Sequence, residues 1–279
     1  MIPPEFDYAA PSSVDEVIQL IQQHPYDDPK ILAGGHSLLP LMKLRFASPG
    51  MLIDLKNVEG LTGIQNGSGL TIGARTRHVE LQEGDYGLLT EAAKQIADQQ
   101  VRNRGTIGGS LAHGDSAGDL PTVFLVMDGT LTARGPNGER QIPANQMFQD
   151  YLTTAIADDE VITSVHLPSY DGYGHAYLKF TRRAEDWAMV GVAALVKVEG
   201  GAFTDVRVGL THMGATPLRA TQVEQELKGQ PAGWEAIAVA SEKAAEGTDP
   251  PGDLNATPDY KRHLARVMVR RAITQAAGL

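Results

Sequence analysis

Apolar residues recur along the chain in two rhythms, one of roughly 3.6 residues and one of two, and the switches between them delimit the elements. Residues 13–23 predict a helix: Val14, Val17, Ile18 and Ile21 share one face, and Ser13 with Glu16 fits a capping box. Residues 30–33 predict a short strand that breaks at Gly34-Gly35-His36-Ser37, resumes as LLPLMKLR and is followed by a second strand over 51–55. Alternation around Gly63, Gly67 and Gly69 predicts a hairpin over 61–74, and Leu89, Ala92, Ala93 and Ile96 give helical spacing over 88–97. A polar, glycine-rich loop spans 102–119, and Asp119 is placed to cap a helix opening Leu120-Pro121. LTARG and VITSVHL read as further strands, and residues 168–174 read as a hinge. Beyond it, AALVKVEGGAFTDVRVGLTHM predicts a hairpin turning at Gly200-Gly201, with Val206, Val208 and Leu210 on one face. Three helices close the chain; the last has Thr257 as cap and Pro258 in its first turn, and buries Leu264, Val267, Met268 and Ile273.

This order gives an α+β protein of three lobes, divided at 1–56, 57–172 and 173–279. A chain of 279 residues is long enough for several small cores. The net charge of −10 disfavours nucleic acid. The absence of cysteine removes disulfides, thiolate zinc and cysteine-ligated iron–sulfur clusters from this chain. No segment approaches the length of a membrane span, and the start MIPPEFDYAAPSS has no leader character, so a cytoplasmic protein is expected.

Two segments carry chemistry: Ala33-Gly34-Gly35-His36-Ser37 after a strand, and Arg102-Asn103-Arg104-Gly105-Thr106-Ile107-Gly108-Gly109-Ser110 before a helical segment. Paired glycines let main-chain N–H groups converge on an anion, and flanking hydroxyls add donors, so a pyrophosphate is the natural guest. A single such turn in a chain with 30 glycines is usually only a turn. Neither segment is a Rossmann or P-loop fingerprint.

AGGHSLLPLMKLR with the following LIDL, and RNRGTIGGSLAHGDSAGDLP, closely resemble the two FAD loops of the medium subunits of the aerobic carbon monoxide dehydrogenase and xanthine dehydrogenase family, the molybdenum hydroxylases. IPPEFDY, KFTRRAEDWA, LTHMGATPLRA and the final RRAI extend the likeness over nearly the whole chain. The resemblance implies the vanillyl-alcohol-oxidase-type FAD-binding fold, two αβ subdomains clasping FAD, plus a C-terminal lobe with a three-stranded antiparallel sheet and helices. It assigns Ala33, Gly34, Gly35, His36, Ser37 and Leu38, together with Thr106, Ile107, Gly108, Gly109 and Ser110, to the pyrophosphate and ribityl. His36 is then a contact to non-covalent FAD, not a tether.

Further positions carry a family role beside a plainer one. Asp115 and Asp119 match the carboxylate that meets ribose or adenine, Asp119 better, with helix capping as the alternative. Val161 and Ile162 match residues packed on the isoalloxazine, and also suit any core strand. Lys179 matches a lysine at the flavin's pyrimidine edge, or is a solvated strand lysine; Trp187 matches a ring-shielding aromatic, or is a core tryptophan. Arg102 and Arg104 are loop cations of ordinary surface type, and Arg182-Arg183 and the arginines of 262–271 suit a partner or solvent. His113, Asp115 and Asp119 lack the fourth partner of a metal site.

The resemblance also implies partners: a large molybdenum–pterin (molybdopterin) subunit that hydroxylates substrate, and a small subunit whose [2Fe–2S] clusters relay electrons, together a dimer of heterotrimers. FAD then accepts electrons singly and passes them to NAD, quinone or oxygen. A self-contained flavin oxidase of the same fold is the rival enzyme reading, for which no general base is evident; a non-catalytic assembly subunit is the rival from another class.

Overall fold

Three main sheets, one per lobe, follow one another along the chain in a computed structural model that describes residues 2–279. The first lobe runs β1 (Asp7–Ala9), α1 (Val14–Gln23), β2 (Lys30–Leu32), α2 (Leu38–Leu44) and β3 (Met51–Asp54), with the strands parallel in the order β1-β3-β2. Helix α1 buries Val17, Ile18 and Ile21 against Met51, Ile53 and Leu55. The Ser13 hydroxyl caps α1 by accepting from the Glu16 amide, while Glu16 reaches back to the amide of Ser12, one residue before the position a capping box uses.

LLPLMKL is helical, with Arg45 as its left-handed C-cap, contrary to the resumed strand the sequence suggests. Pro40 explains why: in a strand it would delete a ladder donor, whereas the first turn of a helix has no intrahelical use for that N–H.

The middle lobe comprises β4 (Ile64–Asn66), β5 (Gly69–Gly73), α3 (His78–Glu83), α4 (Leu88–Lys94), α5 (Gln99–Arg102), α6 (Ile107–His113), α7 (Asp119–Val126), β6 (Thr130–Gly135), β7 (Gly138–Pro143), α8 (Ala144–Met147), β8 (Phe148–Asp150), β9 (Thr153–Thr154) and β10 (Val161–Pro168). Its main sheet has the order β4-β5-β10-β6-β7, every pairing antiparallel, and β8 pairs with β9 in a small two-stranded sheet. Helix α6 lies inside what the sequence presents as one long loop over 102–119, and α5 ends where that loop begins. At the start of β10, Val161 joins the core of the first lobe and Ile162 that of the middle lobe, so one strand ties two cores together.

The third lobe contains β11 (Gly174–Phe180), β12 (Val190–Glu199), β13 (Ala202–Thr211), β14 (Leu218–Arg219), α9 (Thr221–Leu227), α10 (Trp234–Ser241) and α11 (Pro258–Ala277). Its antiparallel order is β11-β12-β13-β14: the three expected strands gain a two-residue fourth at the edge. Gly200 and Gly201 form the hairpin turn at φ 60° and 78°, in the left-handed region glycine tolerates. Val206, Val208 and Leu210 face α9 and α11, and Thr257 caps α11 with Pro258 following. Val267 is only partly covered, unlike Leu264, Met268 and Ile273. Tyr177, Ala193 and Leu195 turn the other way, into the core of the middle lobe, which fixes the third lobe against α7.

Candidate functional site

The connection from β2 to α2 and the connection from α5 to α6 meet. A Cβ on Gly34 would overlap the carbonyl oxygen of Arg104 and sit 2.8 Å from Cα of Gly105, so only glycine permits the approach. Around the junction lies a cleft of about 550 Å³ whose wall includes segments of all three lobes. Of the residues singled out from the sequence, Ala33, Gly34, Gly35, His36, Ser37, Leu38, Thr106, Gly108, Gly109, Ser110, Asp115, Asp119, Val161, Ile162, Lys179 and Trp187 line it. Ile107 does not; its side chain is buried in the middle core.

The two loops offer different donors. Among the described residues, none accepts a hydrogen bond from the main-chain N–H of Gly34, Gly35, His36 or Ser37, and the His36 ring is tied to the Gly34 carbonyl at 3.1 Å. The second loop is otherwise engaged. Ile107 N–H donates to Thr76 O at 3.0 Å, Gly108 N–H to Ala74 O at 2.8 Å, and Ser110 N–H to Thr106 O at 3.0 Å, while Gly109 N–H meets the Thr106 hydroxyl oxygen at 3.2 Å. The sequence-based picture of two bare amide clusters therefore holds for the first loop only. The second loop presents hydroxyls, because Thr106 Oγ1 accepts from Gly109 and keeps its own proton to donate, with Ser110 beside it.

Gly108 serves packing: a Cβ there would lie 2.7 Å from Cβ and O of Ala74, so its missing side chain admits the β5–α3 connection. Gly109 has more room, its nearest neighbours being the Thr106 hydroxyl at 2.8 Å and Ala33 Cβ at 4.0 Å from such an atom.

Asp119 neither caps α7 nor turns its carboxylate to solvent. Gly118 holds the cap position, and Asp119, in the first turn of α7, accepts from the Tyr177 hydroxyl at 2.6 Å and from Lys179 Nζ at 3.0 Å. The Asp119 and Lys179 side chains are each 4% exposed. Burial raises the Asp119 carboxyl above its ordinary value, against the opposing pull of Lys179 and Tyr177. Burial, with Asp119 alongside, holds the Tyr177 hydroxyl well above the usual phenol value. Lys179 also donates to Gln95 O at 3.0 Å, so two of its three protons are held by protein and the third is left for the cleft. It is a buried, aimed cation, not a solvated strand lysine. Asp115 closes its own turn, accepting from Ala117 N–H at 2.8 Å.

Trp187 is 59% exposed at the cleft wall, which excludes the core role. It sits with Glu185 and Asp186 in the β11–β12 connection, residues 181–189.

Sequence reasoning missed Tyr177 and His78. Tyr177 lies two residues before Lys179 on β11, so strand alternation alone places the two on one face. His78 lines the cleft yet is 5% exposed, with Nδ1 buried and unpartnered. Burial, reinforced by His36 and Arg102, lowers its pKa to about 4, so it is neutral near pH 7. Its one sequence signal is its place four residues after Ala74 in a segment that reads as hairpin exit.

Unengaged amides, two hydroxyls, a glycine-only junction and an apolar wall with one aimed cation suit a dinucleotide, and the class they point to is a flavoprotein. Residues 4–170 match the family described as the FAD binding domain in molybdopterin dehydrogenase, and residues 175–276 the CO dehydrogenase flavoprotein C-terminal domain. The chain is 41% identical to the carbon monoxide dehydrogenase medium chain of Hydrogenophaga pseudoflava, over 99% of this chain and 98% of that one. It is 37% identical to the 6-hydroxypseudooxynicotine dehydrogenase complex subunit alpha of Paenarthrobacter nicotinovorans, over 99% and 96%. A solved structure of carbon monoxide dehydrogenase from Hydrogenophaga pseudoflava superposes with a TM-score of 0.96 at 42% identity, covering 100% of this chain and 99% of the other.

The chain belongs to the FAD-binding medium subunits of the molybdenum hydroxylases, electron-transfer components of oxidoreductase complexes whose molybdopterin and iron–sulfur centres belong to other subunits. No helix among the described residues is long and apolar enough to cross a membrane.

Proposed function

We propose that this chain holds FAD non-covalently with its diphosphate between the Gly34–Ser37 amides and the hydroxyls of Thr106 and Ser110. The observation that carries this reading is the contact of Gly34 with Arg104 and Gly105, which brings an unengaged amide row and a hydroxyl pair to one cleft. Val161 and Ile162 supply an apolar floor for the isoalloxazine, Trp187 covers it, and Lys179 directs its free proton at the pyrimidine edge, where a cation favours the reduced, negatively charged ring. FAD, when bound, supplies the exchange of electrons between a partner's [2Fe–2S] clusters and an external acceptor such as NAD, a quinone or oxygen. The chain's own part is to position the cofactor, exclude water from it and set its potential. The paired Asp119 moderates the positive charge of Lys179, and thereby how far the potential rises.

The partners are a large molybdenum–pterin subunit and a small iron–sulfur subunit, assembled as a dimer of heterotrimers in the cytoplasm, with the substrate selected in the large subunit. Residues 1–56 and 57–172 are the two halves of the FAD site, and 173–279 is the lobe that closes it. Purification of the full chain tests the reading: about one equivalent of acid-releasable FAD and no turnover of alcohols are expected. A chain that binds no flavin when reconstituted overturns it in favour of an assembly subunit, and alcohol oxidation by the isolated chain overturns it in favour of an oxidase.

A further inference from the structure

His212 lies directly after β13, outside the cleft wall, with its backbone at φ 63°, in the left-handed region. A non-glycine residue is kept there only when its surroundings over-determine it. Two contacts do so. Its main-chain N–H donates to Ser116 O at 2.7 Å, in the turn that carries Asp115 and Asp119, and its ring Nδ1 is bonded to Ala188 O at 2.7 Å, next to Trp187. One residue of the third lobe is thus fastened to two segments that line the cleft.

The chemistry of the partners fixes the ring's protonation. A carbonyl only accepts, so Nδ1 carries the proton and donates to Ala188. An ammonium only donates, and Lys261 Nζ faces Nε2 at 3.5 Å, so Nε2 is the bare, accepting nitrogen of a neutral imidazole. Lys261 has 0% exposure on α11 and is held by Pro251 O at 2.8 Å and Asp253 Oδ2 at 2.6 Å. Asp253 is fixed in turn by the amides of Asn255 and Ala256. Burial lowers the pKa of the His212 ring, and the neighbouring ammonium acts in the same direction. A buried lysine is costly to maintain, and this one is far too enclosed to meet a ligand.

We propose that His212 is a positioning residue that clamps the Trp187 segment to the Asp115–Asp119 turn, with Lys261 setting the tautomer that lets it do so. The inference rests on the flavin reading above for its consequence, since a released Trp187 no longer covers the ring. The clamp itself stands on geometry in the chain alone.

The chain has two tryptophans, so Trp234→Phe leaves Trp187 as the sole reporter. In that full-length background, His212→Asn keeps a left-handed backbone and the amide bond to Ser116 but withdraws the donor from Ala188, and Lys261→Met removes the ammonium. Without FAD, His212→Asn is expected to lower Trp187 anisotropy by about a third and to speed amide exchange across 182–189 about fivefold, as befits one lost hydrogen bond. With FAD, binding weakens about tenfold and flavin fluorescence rises. Lys261→Met changes each readout in the same direction by less, and serves as the test if His212→Asn does not fold. A merely structural histidine would lower the melting temperature without singling out Trp187. Anisotropy and exchange unchanged from the parent in both variants would overturn the clamp. Failure of the unaltered chain to bind FAD counts against the flavin reading instead, because the FAD-free measurements read the clamp independently.

Discussion

Gly34 packs directly on the main chain of Arg104, and this contact turns two separate glycine-rich stretches into one binding surface. Gly34→Val places three carbons where the Arg104 carbonyl lies, so the loops must part. FAD content is expected to fall at least tenfold, with the far-ultraviolet circular dichroism unchanged because the contact joins two connections between elements and not a strand or helix. Flavin absorbance against protein concentration measures it, and full FAD occupancy in Gly34→Val would contradict the contact's role.

Gly108 and Gly109, adjacent in sequence, are expected to respond differently. Gly108→Ala drives a methyl into Ala74 and should cost about 1–3 kcal/mol, as overpacking does, with FAD lost only as a consequence. Gly109→Ala meets a movable hydroxyl and should cost about 1 kcal/mol or less through the Thr106 cap. Urea denaturation of the FAD-free chain distinguishes them; equal stabilities would show that the Ala74 contact is unimportant.

Lys179→Met leaves a buried carboxylate facing Tyr177 alone. Loss of one partner from a buried pair typically costs about 3–5 kcal/mol, and restoring neutrality with Asp119→Asn should recover much of it. The same lysine variant should bind FAD with a lower midpoint potential, since the charge that favours the reduced ring is gone. Denaturation of the single and double variants checks the first claim and redox titration the second; an unshifted potential would remove Lys179 from the flavin's edge.

His78 gives the fold a pH dependence of known sign. Its pKa is about 4 when folded and near 6.5 when unfolded, so the unfolded chain binds the proton first as pH falls. Stability is fully present above pH 6.5 and declines towards pH 4, by about 3 kcal/mol for this group. His78→Leu should flatten that part of the curve relative to the parent, measured by chemical denaturation at pH 7, 5.5 and 4.5. Parallel curves would mean that the ring is not desolvated.

Much of this was legible in the residues. The strand followed by Gly34-Gly35, the Gly200-Gly201 hairpin and the cap of α11 by Thr257 and Pro258 are set by local rules, and they appear as read. Helix α6 was hidden because its glycines disfavour a helix locally, and it is held by tertiary acceptors, Thr76 O and Ala74 O, that no window of sequence contains. The same carbonyls consume the amides that the glycine pattern offered to a phosphate. Asp119 showed its position but not its partners, since Tyr177 and Lys179 lie 58 and 60 residues away. His78 carried only its place just after the hairpin; its significance is burial beside Gly105, a product of packing.

The most direct test of the two-loop grip is the crystal structure of the full chain bound to FAD. The diphosphate oxygens are expected within about 3 Å of the amides of Gly35, His36 and Ser37 and of the hydroxyls of Thr106 and Ser110. A diphosphate lying away from both loops, or held by the second loop's amides after they leave Ala74 and Thr76, would contradict the two-loop grip.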